Sequence, residues 1–231
     1  MVAGRKAGHR ILRPDEAGTM MATAMSEHLD LADWRRRVAA MYAELRADPD
    51  PGHERLATFR AERDRLFANH PQSPITPAER PGFRGLSYWP HDAAWRLTGR
   101  LEPDPAVPAM DVPVSTGDPF AFTRIGWVTG GAPGGAVRLA VYWLAGYGGG
   151  IFIPFRDATS GAETYAGGRY LWDSIKGADL GSDGDALVLD FNYAYHPSCA
   201  YDPRWSCPLA PRDAWLDLPV RVGERLPEST P

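Results

Sequence analysis

The spacing of apolar residues changes along this chain at the proline-rich stretch HPQSPITPAERPG (70–82). Before it, apolar residues recur every three or four positions in DLADWRRRVAAMYAELR, which predicts an amphipathic helix with Asp30 as its N-cap. A second such pattern predicts a helix from His53 to Asn69, with Leu56, Phe59, Leu66 and Phe67 directed inward. After the connector, apolar and polar residues alternate, as expected for strands. The sequence therefore predicts a mainly β, α+β protein with an N-terminal helical hairpin.

The segment after the connector predicts about eight or nine short strands separated by glycine-rich turns such as TGGAPGG (129–135) and GYGGG (146–150). Strands do not alternate with helices, which argues against a parallel sheet. We expect an antiparallel β-barrel or sandwich. The expected organisation is a flexible tail over 1–26, a helical arm over 27–70, and a β domain over 71–231. Within the arm, the run Arg35, Arg36 and Arg37 is interpreted as a solvated helix face.

Charge and hydropathy limit the partners that the chain is expected to have. The formal net charge of −4 argues against nucleic acid as the main partner. No apolar run approaches the length of a membrane span, and the basic N-terminus lacks the apolar stretch of a secretory signal. We therefore expect a cytoplasmic protein that binds neither nucleic acid nor membranes. The oligomeric state and the true start codon stay open.

Several long stretches carry a specific pattern: IFIPFRDATSGAETYAGGRYL (151–171), LDFNYAYHPSCAYDPRWSCPLAP (189–211), VRVGER (220–225) and the earlier SPI…FRGLSYWP (73–90). Together they resemble DUF1684, a family of uncharacterised bacterial and archaeal proteins. The family carries no established activity, so the resemblance implies none. Two positions depart from the family pattern. The family more commonly has asparagine at the position of His196, and it usually reads like PPENRL where this chain has APRDAWL (210–216).

Both cysteines of the chain, Cys199 and Cys207, lie close to His196. The spacing H-x2-C-x7-C is not a standard zinc motif and no fourth ligand is evident, so we expect no metal. A disulfide, or a pair of close reduced thiols, is the favoured interpretation, because the chain can turn back at Asp202-Pro203. A thiolate–imidazolium pair of Cys199 and His196 is a less favoured alternative, because the family does not require this histidine.

The polar stretches FRDATSGAETYAGGRYL and DFNYAY are better candidates for a site. If they lie on neighbouring strands, they bring together five predicted ligand-binding residues: Arg169, Tyr165, Tyr170, Asn192 and Tyr195. Three carboxylates are candidate general acids or bases: Asp157, Glu163 and Asp190. The structural alternative is a buried ion pair of Arg169 with Glu163 or Asp190. Asn192 could hold a turn or bind a ligand carbonyl.

Three functions follow from these residues. The first is the binding of a small molecule, with an anionic group suited to Arg169, in a β-barrel pocket and without a cofactor. The second is a hydrolase or isomerase that uses one of the carboxylates with Arg169. The third is a non-catalytic interaction protein whose helical arm binds partners. The motifs of nucleotide-binding loops, nucleophile elbows and zinc peptidases are absent, and whether the chain is an enzyme stays open.

Overall fold

The structure is a computed structural model that describes residues 14–48, 52–104, 110–112, 114–117, 120–146 and 148–227, and for 14–24, 110 and 111 only the backbone. Its two α-helices are α1 (Pro14–Arg46) and α2 (His53–Asn69). Helix α2 has the predicted bounds. Its predicted inward side chains are all buried, namely Leu56, Phe59, Leu66 and Phe67.

Helix α1 begins much earlier than the sequence suggested. Pro14 opens it, a position where proline is favourable because its missing N–H would have no helical partner. Asp30 therefore lies inside the helix, so its prediction as N-cap is wrong. Residues 14–26, expected to belong to a tail, are helical, and residues 1–13 lie outside the described residues. The run Arg35–Arg37 is exposed, as expected for a solvated face.

The described strands are short and antiparallel. They are β1 (Ser87–Tyr88), β2 (Arg96–Pro103), β3 (Met110–Val112), β4 (Phe120–Ala132), β5 (Gly135–Leu144), β6 (Gly150–Phe155), β7 (Arg169–Asp173), β8 (Ser182–Asp183), β9 (Ala186–Asp190) and β10 (Glu224–Arg225). Single turns of 3₁₀-helix lie at Arg80–Gly82, Ala93–Trp95, Ser174–Lys176, Phe191–Tyr193, Ser198–Ala200 and Arg212–Ala214.

One curled sheet has the strand order β7-β6-β5-β4-β2-β9-β8, and β3 also pairs with β4. A separate two-stranded sheet joins β1 to β10, near the two ends of the β domain. The prediction of a mainly β protein with an N-terminal helical hairpin is confirmed. The sheet curls as a half-barrel, with β7 and β8 at the two ends of the described strand order.

Alternation predicts strands over residues 163–172, 186–195 and 216–223, and in the structure the first two are strands only in part and the third is not a strand. Asp190 ends β9, because its side chain accepts a hydrogen bond from the Asn192 N–H and closes a 3₁₀ turn. The Thr159 carbonyl accepts the N–H groups of residues 162–164 and the Tyr165 carbonyl accepts that of Gly168, so residues 159–168 form two successive turns. Residues 216–223 lack strand pairing along their length. Local polar turns therefore override the alternating pattern at these places.

The apolar core has two parts that matter for the site. The first lies on the sheet, where Leu216, Val220 and Val222 of the C-terminal segment pack against residues of the strands. The second joins the arm to the sheet, with Tyr42 and Phe59 among its members. The helical arm is thus packed on the β domain through buried apolar surface. None of the helices that the structure describes is long and apolar enough to cross a membrane.

Candidate functional site

Arg169 is the first residue of β7, and its side chain is completely buried. One terminal nitrogen donates to the carbonyls of Val222 (2.6 Å) and Glu224 (3.1 Å), and the other donates to the carbonyl of Val220 (2.7 Å). The same second nitrogen lies 3.5 Å from the Asp157 carboxylate. Arg169 therefore ties the C-terminal segment 220–224 to the curled sheet.

The charge of Arg169 is compensated inside the protein. Burial lowers its pKa to about 10, while Asp157 acts in the opposite direction, so the guanidinium stays charged at neutral pH. Asp157 also accepts hydrogen bonds from the Val220 N–H (2.6 Å) and the Thr159 hydroxyl (2.9 Å). Buried charges persist where they are paired and hydrogen-bonded in this way. This geometry favours a structural role for Arg169 and Asp157.

The other two candidate carboxylates have separate partners. Glu163 forms a two-bond ion pair with Arg221 at the surface, with distances of 2.8 and 2.9 Å. Asp190 lies 3.3 Å from Arg96 and caps the turn at Asn192. The expected pairing of Glu163 or Asp190 with Arg169 is therefore replaced by the pair of Arg169 with Asp157. The sequence could not reveal this ion pair, because Asp157 comes close to Arg169 only when β6 and β7 pair across the turn between them.

Asn192 uses its amide to hold a neighbouring loop. It accepts a hydrogen bond from the Asp92 N–H (2.9 Å) and donates to the Asp92 carbonyl (2.8 Å), as another backbone segment would. Its nitrogen also donates to Asp190 (2.8 Å). Of the two predicted roles of this residue, the geometry favours the holding of backbone.

The three tyrosines predicted to bind a ligand differ in their surroundings. Tyr170 is buried and Tyr195 is half-buried, and their rings pack edge to face with their centres 5.6 Å apart. The Tyr170 hydroxyl donates to the Pro208 carbonyl (2.6 Å). Tyr165 is only half-buried, and its hydroxyl lies 3.6 Å from the Cys199 sulfur. The structure thus brings Tyr165 together with the cysteines, and Tyr170 with the loop that follows them.

Glu224 is a buried charged residue that sequence reasoning missed. It accepts hydrogen bonds from Arg63 of α2 (2.7 Å) and from the His196 N–H (3.1 Å), while its Oε1 has no hydrogen-bond partner. Burial raises the pKa of Glu224 to about 7. The available signal was the motif VRVGER, but a strand of two residues shows no alternation from which burial could be read.

His196 is directed away from the thiols. Its Nε2 accepts a hydrogen bond from the Tyr165 N–H (3.2 Å), and its Nδ1 lies 3.6 Å from Glu224 Oε1. Burial, together with the charges of Arg169 and Arg63, lowers the pKa of His196 to about 3, so the ring is neutral. The geometry therefore does not favour a thiolate–imidazolium pair of Cys199 and His196.

Cys199 and Cys207 are both buried, unbonded to each other, and in direct contact. The Cys199 N–H donates to the Cys207 sulfur at 3.4 Å. The Cys207 N–H donates to the Ser115 hydroxyl at 3.1 Å, which joins this loop to the segment after β3. The two cysteines therefore lie close together as unbonded thiols, one of the two arrangements that the sequence left open. No group of His, Cys, Asp and Glu residues suited to a metal ion occurs in the described part of the chain.

A groove with a volume of about 770 Å³ lies between α1 and α2, and we call it the arm groove. Its floor is apolar, with Met41, Leu45, Phe59 and Leu66. Its rim is charged: Asp33 accepts hydrogen bonds from Arg37 (2.7 Å) and faces His70 Nε2 (3.2 Å). Both contacts lower the pKa of Asp33. Sequence reasoning treated this surface as a helical pair and did not predict the groove.

The fold and these buried networks define a class: an α+β protein in which a helical hairpin packs on a curled antiparallel sheet. The chain belongs to the family described as protein of unknown function, DUF1684, whose pattern matches residues 81–225. It is similar to an uncharacterised protein of Haloarcula marismortui solved by solution NMR, with 37% identity and a TM-score of 0.54. That match covers 75% of this chain and 93% of the other. No curated protein matches.

Proposed function

We propose that this protein binds a small organic molecule in the arm groove. The observation that carries the proposal is the groove itself, about 770 Å³ in volume with an apolar floor and a charged rim. Sites for small molecules are commonly concave, mostly apolar, and roughly 300–1,000 Å³ in volume. The family motifs were the expected place for a ligand, but the side chains of Arg169 and Asn192 donate hydrogen bonds to backbone carbonyls of the protein itself.

The rim suggests what such a molecule would look like. Arg37 is paired with Asp33, Arg55 lies 3.5 Å from Glu44, and Arg65 is paired with Glu62. Because these arginines already face carboxylates, the rim offers both signs of charge and does not select an anion. We therefore propose an amphipathic ligand whose apolar body lies on Met41 and Phe59.

A thermal-shift screen of the full chain against metabolites tests the proposal without an assumed reaction. A ligand of the arm groove raises the melting temperature of the wild type. Ala40→Trp removes this shift, because Ala40 lines the groove and a bulky ring there fills it. Ala43→Trp is the matched control, since Ala43 is equally exposed on α1 but does not line the groove.

Two outcomes contradict the proposal. A screen in which no compound stabilises the wild type removes its basis. A compound whose shift survives in Ala40→Trp binds elsewhere on the molecule. If that shift is instead lost in Arg169→Lys, the ligand lies at the family motifs, as the sequence first suggested.

A specific observation also favours the interaction-protein alternative. Met25 and Leu29 of α1 are 65% and 63% exposed and lie four residues apart, so they are neighbours on one face of the helix. We propose that this end of α1 binds a partner, a function that is compatible with ligand binding in the arm groove. Light scattering after size-exclusion chromatography tests whether the partner is a second copy of this chain. If the wild type is an oligomer, the double variant Met25→Glu with Leu29→Glu is expected to be a monomer. A monomeric wild type excludes a second copy as the partner.

For the compartment, we propose the cytoplasm. The support is the low cysteine content, since the two cysteines of the chain cannot form the disulfide framework that is common in exported proteins. Fractionation of cells that express the tagged full chain tests this. Recovery of the protein outside the cytoplasmic fraction contradicts it.

A further inference from the structure

The thiols of Cys199 and Cys207 are held as a pair by the surrounding backbone. Cys199 lies in the 3₁₀ turn Ser198–Ala200, whose carbonyl at Ser198 accepts the N–H groups of Tyr201 and Asp202. Cys207 is fixed from the other side, where its carbonyl accepts the Ser115 N–H (3.0 Å). The fold of the loop therefore holds the Cys207 sulfur against the backbone N–H of Cys199, at 3.4 Å.

The two thiols are not equivalent. Hydrogen bonding with Cys207 is the largest cause that lowers the pKa of Cys199 to about 6, and Ser115 and Tyr165 add to it. The same contact with Cys199 raises the pKa of Cys207. The Cys199 sulfur also lies 3.6 Å from the hydroxyl of the half-buried Tyr165, so this contact and the lowered pKa together favour Cys199 as the more reactive thiol. Two adjacent thiols of this kind are typical of dithiol redox sites.

We propose that Cys199 and Cys207 form a dithiol–disulfide exchange centre whose substrates are low-molecular-weight disulfides. Cys199 is the attacking residue and Cys207 the resolving one. The substrate enters beside the half-buried Tyr165, because the cysteines themselves are only 8% and 9% exposed. A small disulfide reaches such a site more easily than the disulfide of a folded protein.

The chemistry balances without a cofactor. The Cys199 thiolate attacks one sulfur of a disulfide RSSR, so that a Cys199–SR bond forms while the S–S bond of the substrate breaks and RS⁻ leaves with the electron pair. Cys207 then gives up its proton and attacks the Cys199 sulfur, which forms the Cys199–Cys207 bond and expels a second RS⁻. The dithiol is oxidised by two electrons, RSSR is reduced, and both thiolates take up protons as their pKa requires.

Oxidised glutathione added to the reduced full chain tests the exchange. We expect the wild type to lose both of its two thiols, counted in denaturant, and to be recovered without bound glutathione by mass spectrometry. Cys207→Ser accumulates a mixed disulfide on Cys199, because nothing resolves it. Cys199→Ser reacts at least tenfold more slowly. Retention of both thiols by the wild type, or equal reaction of the two single variants, overturns the proposal.

A second measurement keeps both cysteines and begins with the native wild type, so it does not depend on how the cysteine variants fold. Alkylation with iodoacetamide, followed by peptide mapping, is expected to modify Cys199 first, with a pH midpoint near 6. An ordinary thiol has its midpoint near about 8.5. Tyr165→Phe moves the midpoint of Cys199 upward, because a hydroxyl contact to the sulfur is lost. Tyr201→Phe is the matched control, whose ring packs on Phe67. Equal reaction of both cysteines with ordinary midpoints overturns the proposal.

Discussion

At the scale of single residues, the charged side chains of the family motifs fall into two environments. Arg169, Asp157 and Glu224 are buried and bound to one another or to the backbone, whereas Glu163 and Arg221 form a pair at the surface. Removing one partner of a buried pair leaves a charge without compensation. Removing one partner of an exposed pair leaves a solvated charge, which costs little.

Arg169→Ala is therefore expected to lower the free energy of unfolding by about 3–5 kcal/mol, because the buried Asp157 loses its cationic partner and three carbonyls lose their donor. Glu163→Gln is the control, with an expected change of no more than about 1 kcal/mol. Urea denaturation of both variants measures the difference. Similar values for the two would show that Arg169 does not anchor the C-terminal segment.

Glu224 makes stability depend on pH in a defined direction. Because burial raises its pKa from 4.5 to about 7, the folded protein binds more protons than the unfolded chain between these values. The stability linked to Glu224 is therefore full below pH 4.5 and is lost as the pH rises towards 7. His196 acts in the opposite sense, since its pKa falls from 6.5 to about 3 and its contribution is lost as the pH falls through that range.

The comparison of wild type with Glu224→Gln separates the two groups, because His196 is present in both proteins. The difference in unfolding free energy is expected to change by about 3 kcal/mol between pH 4.5 and pH 7, with the wild type losing stability relative to the variant. Denaturation curves at several pH values measure it. A difference that does not vary with pH would show that Glu224 is ionised throughout.

At the scale of secondary-structure elements, the position of the helical arm depends on a turn that follows β7. Gly177 has φ +67° and ends the 3₁₀ turn Ser174–Lys176, where a Cβ atom would lie 2.7 Å from the Cβ of Ala39 on α1. Arg46 near the end of the same helix donates to the Asp179 carbonyl (2.7 Å). The backbone of this turn therefore lies in close contact with helix α1.

Gly177→Ala is expected to destabilise the protein by about 1–3 kcal/mol more than Gly184→Ala, because it adds overpacking to the backbone strain. Gly184 is a matched control with φ +60° and no atom within 4 Å of the added methyl group. Chemical denaturation gives the difference. Equal losses for the two variants would mean that α1 moves away from this turn at no cost.

At the scale of the whole molecule, the arm and the β domain share one apolar cluster. Tyr42, Leu45, Leu56 and Phe59 of the helices pack with Ala178, Leu180, Val188 and Tyr193. Arg63 of α2 also supplies the partner of the buried Glu224. We therefore propose that the arm at 27–70 and the β domain at 71–231 are two segments of one cooperative unit and unfold together.

We expect far-UV circular dichroism, which follows the helices, and tryptophan fluorescence, which follows mainly the β domain because seven of the eight tryptophans lie there, to report a single shared unfolding transition. Phe59→Ala lowers its midpoint for both probes alike, by about 3 kcal/mol in free energy. Loss of the helical signal at lower denaturant, with unchanged fluorescence, would show that the arm unfolds independently.

The amino-acid sequence by itself determined the class of fold and much of the helical arm. Periodicity is a local property, so the bounds of α2, its buried face and the strand-rich remainder could be predicted. The family followed from long specific motifs. The contact between the thiols could be suggested as well, because Cys199 and Cys207 lie on one short loop.

Only the tertiary structure decided the partners of the charged residues. Arg169 pairs with Asp157 and not with Glu163, and Glu224 meets Arg63 from a helix far away in the chain. These pairings depend on which charged side chains the packed core shields from water. Whether a charge is buried is a property of the whole fold, so the sequence pattern does not reveal it. The arm groove has the same origin, since each helix determines only its own face and the space between them exists only once both are packed.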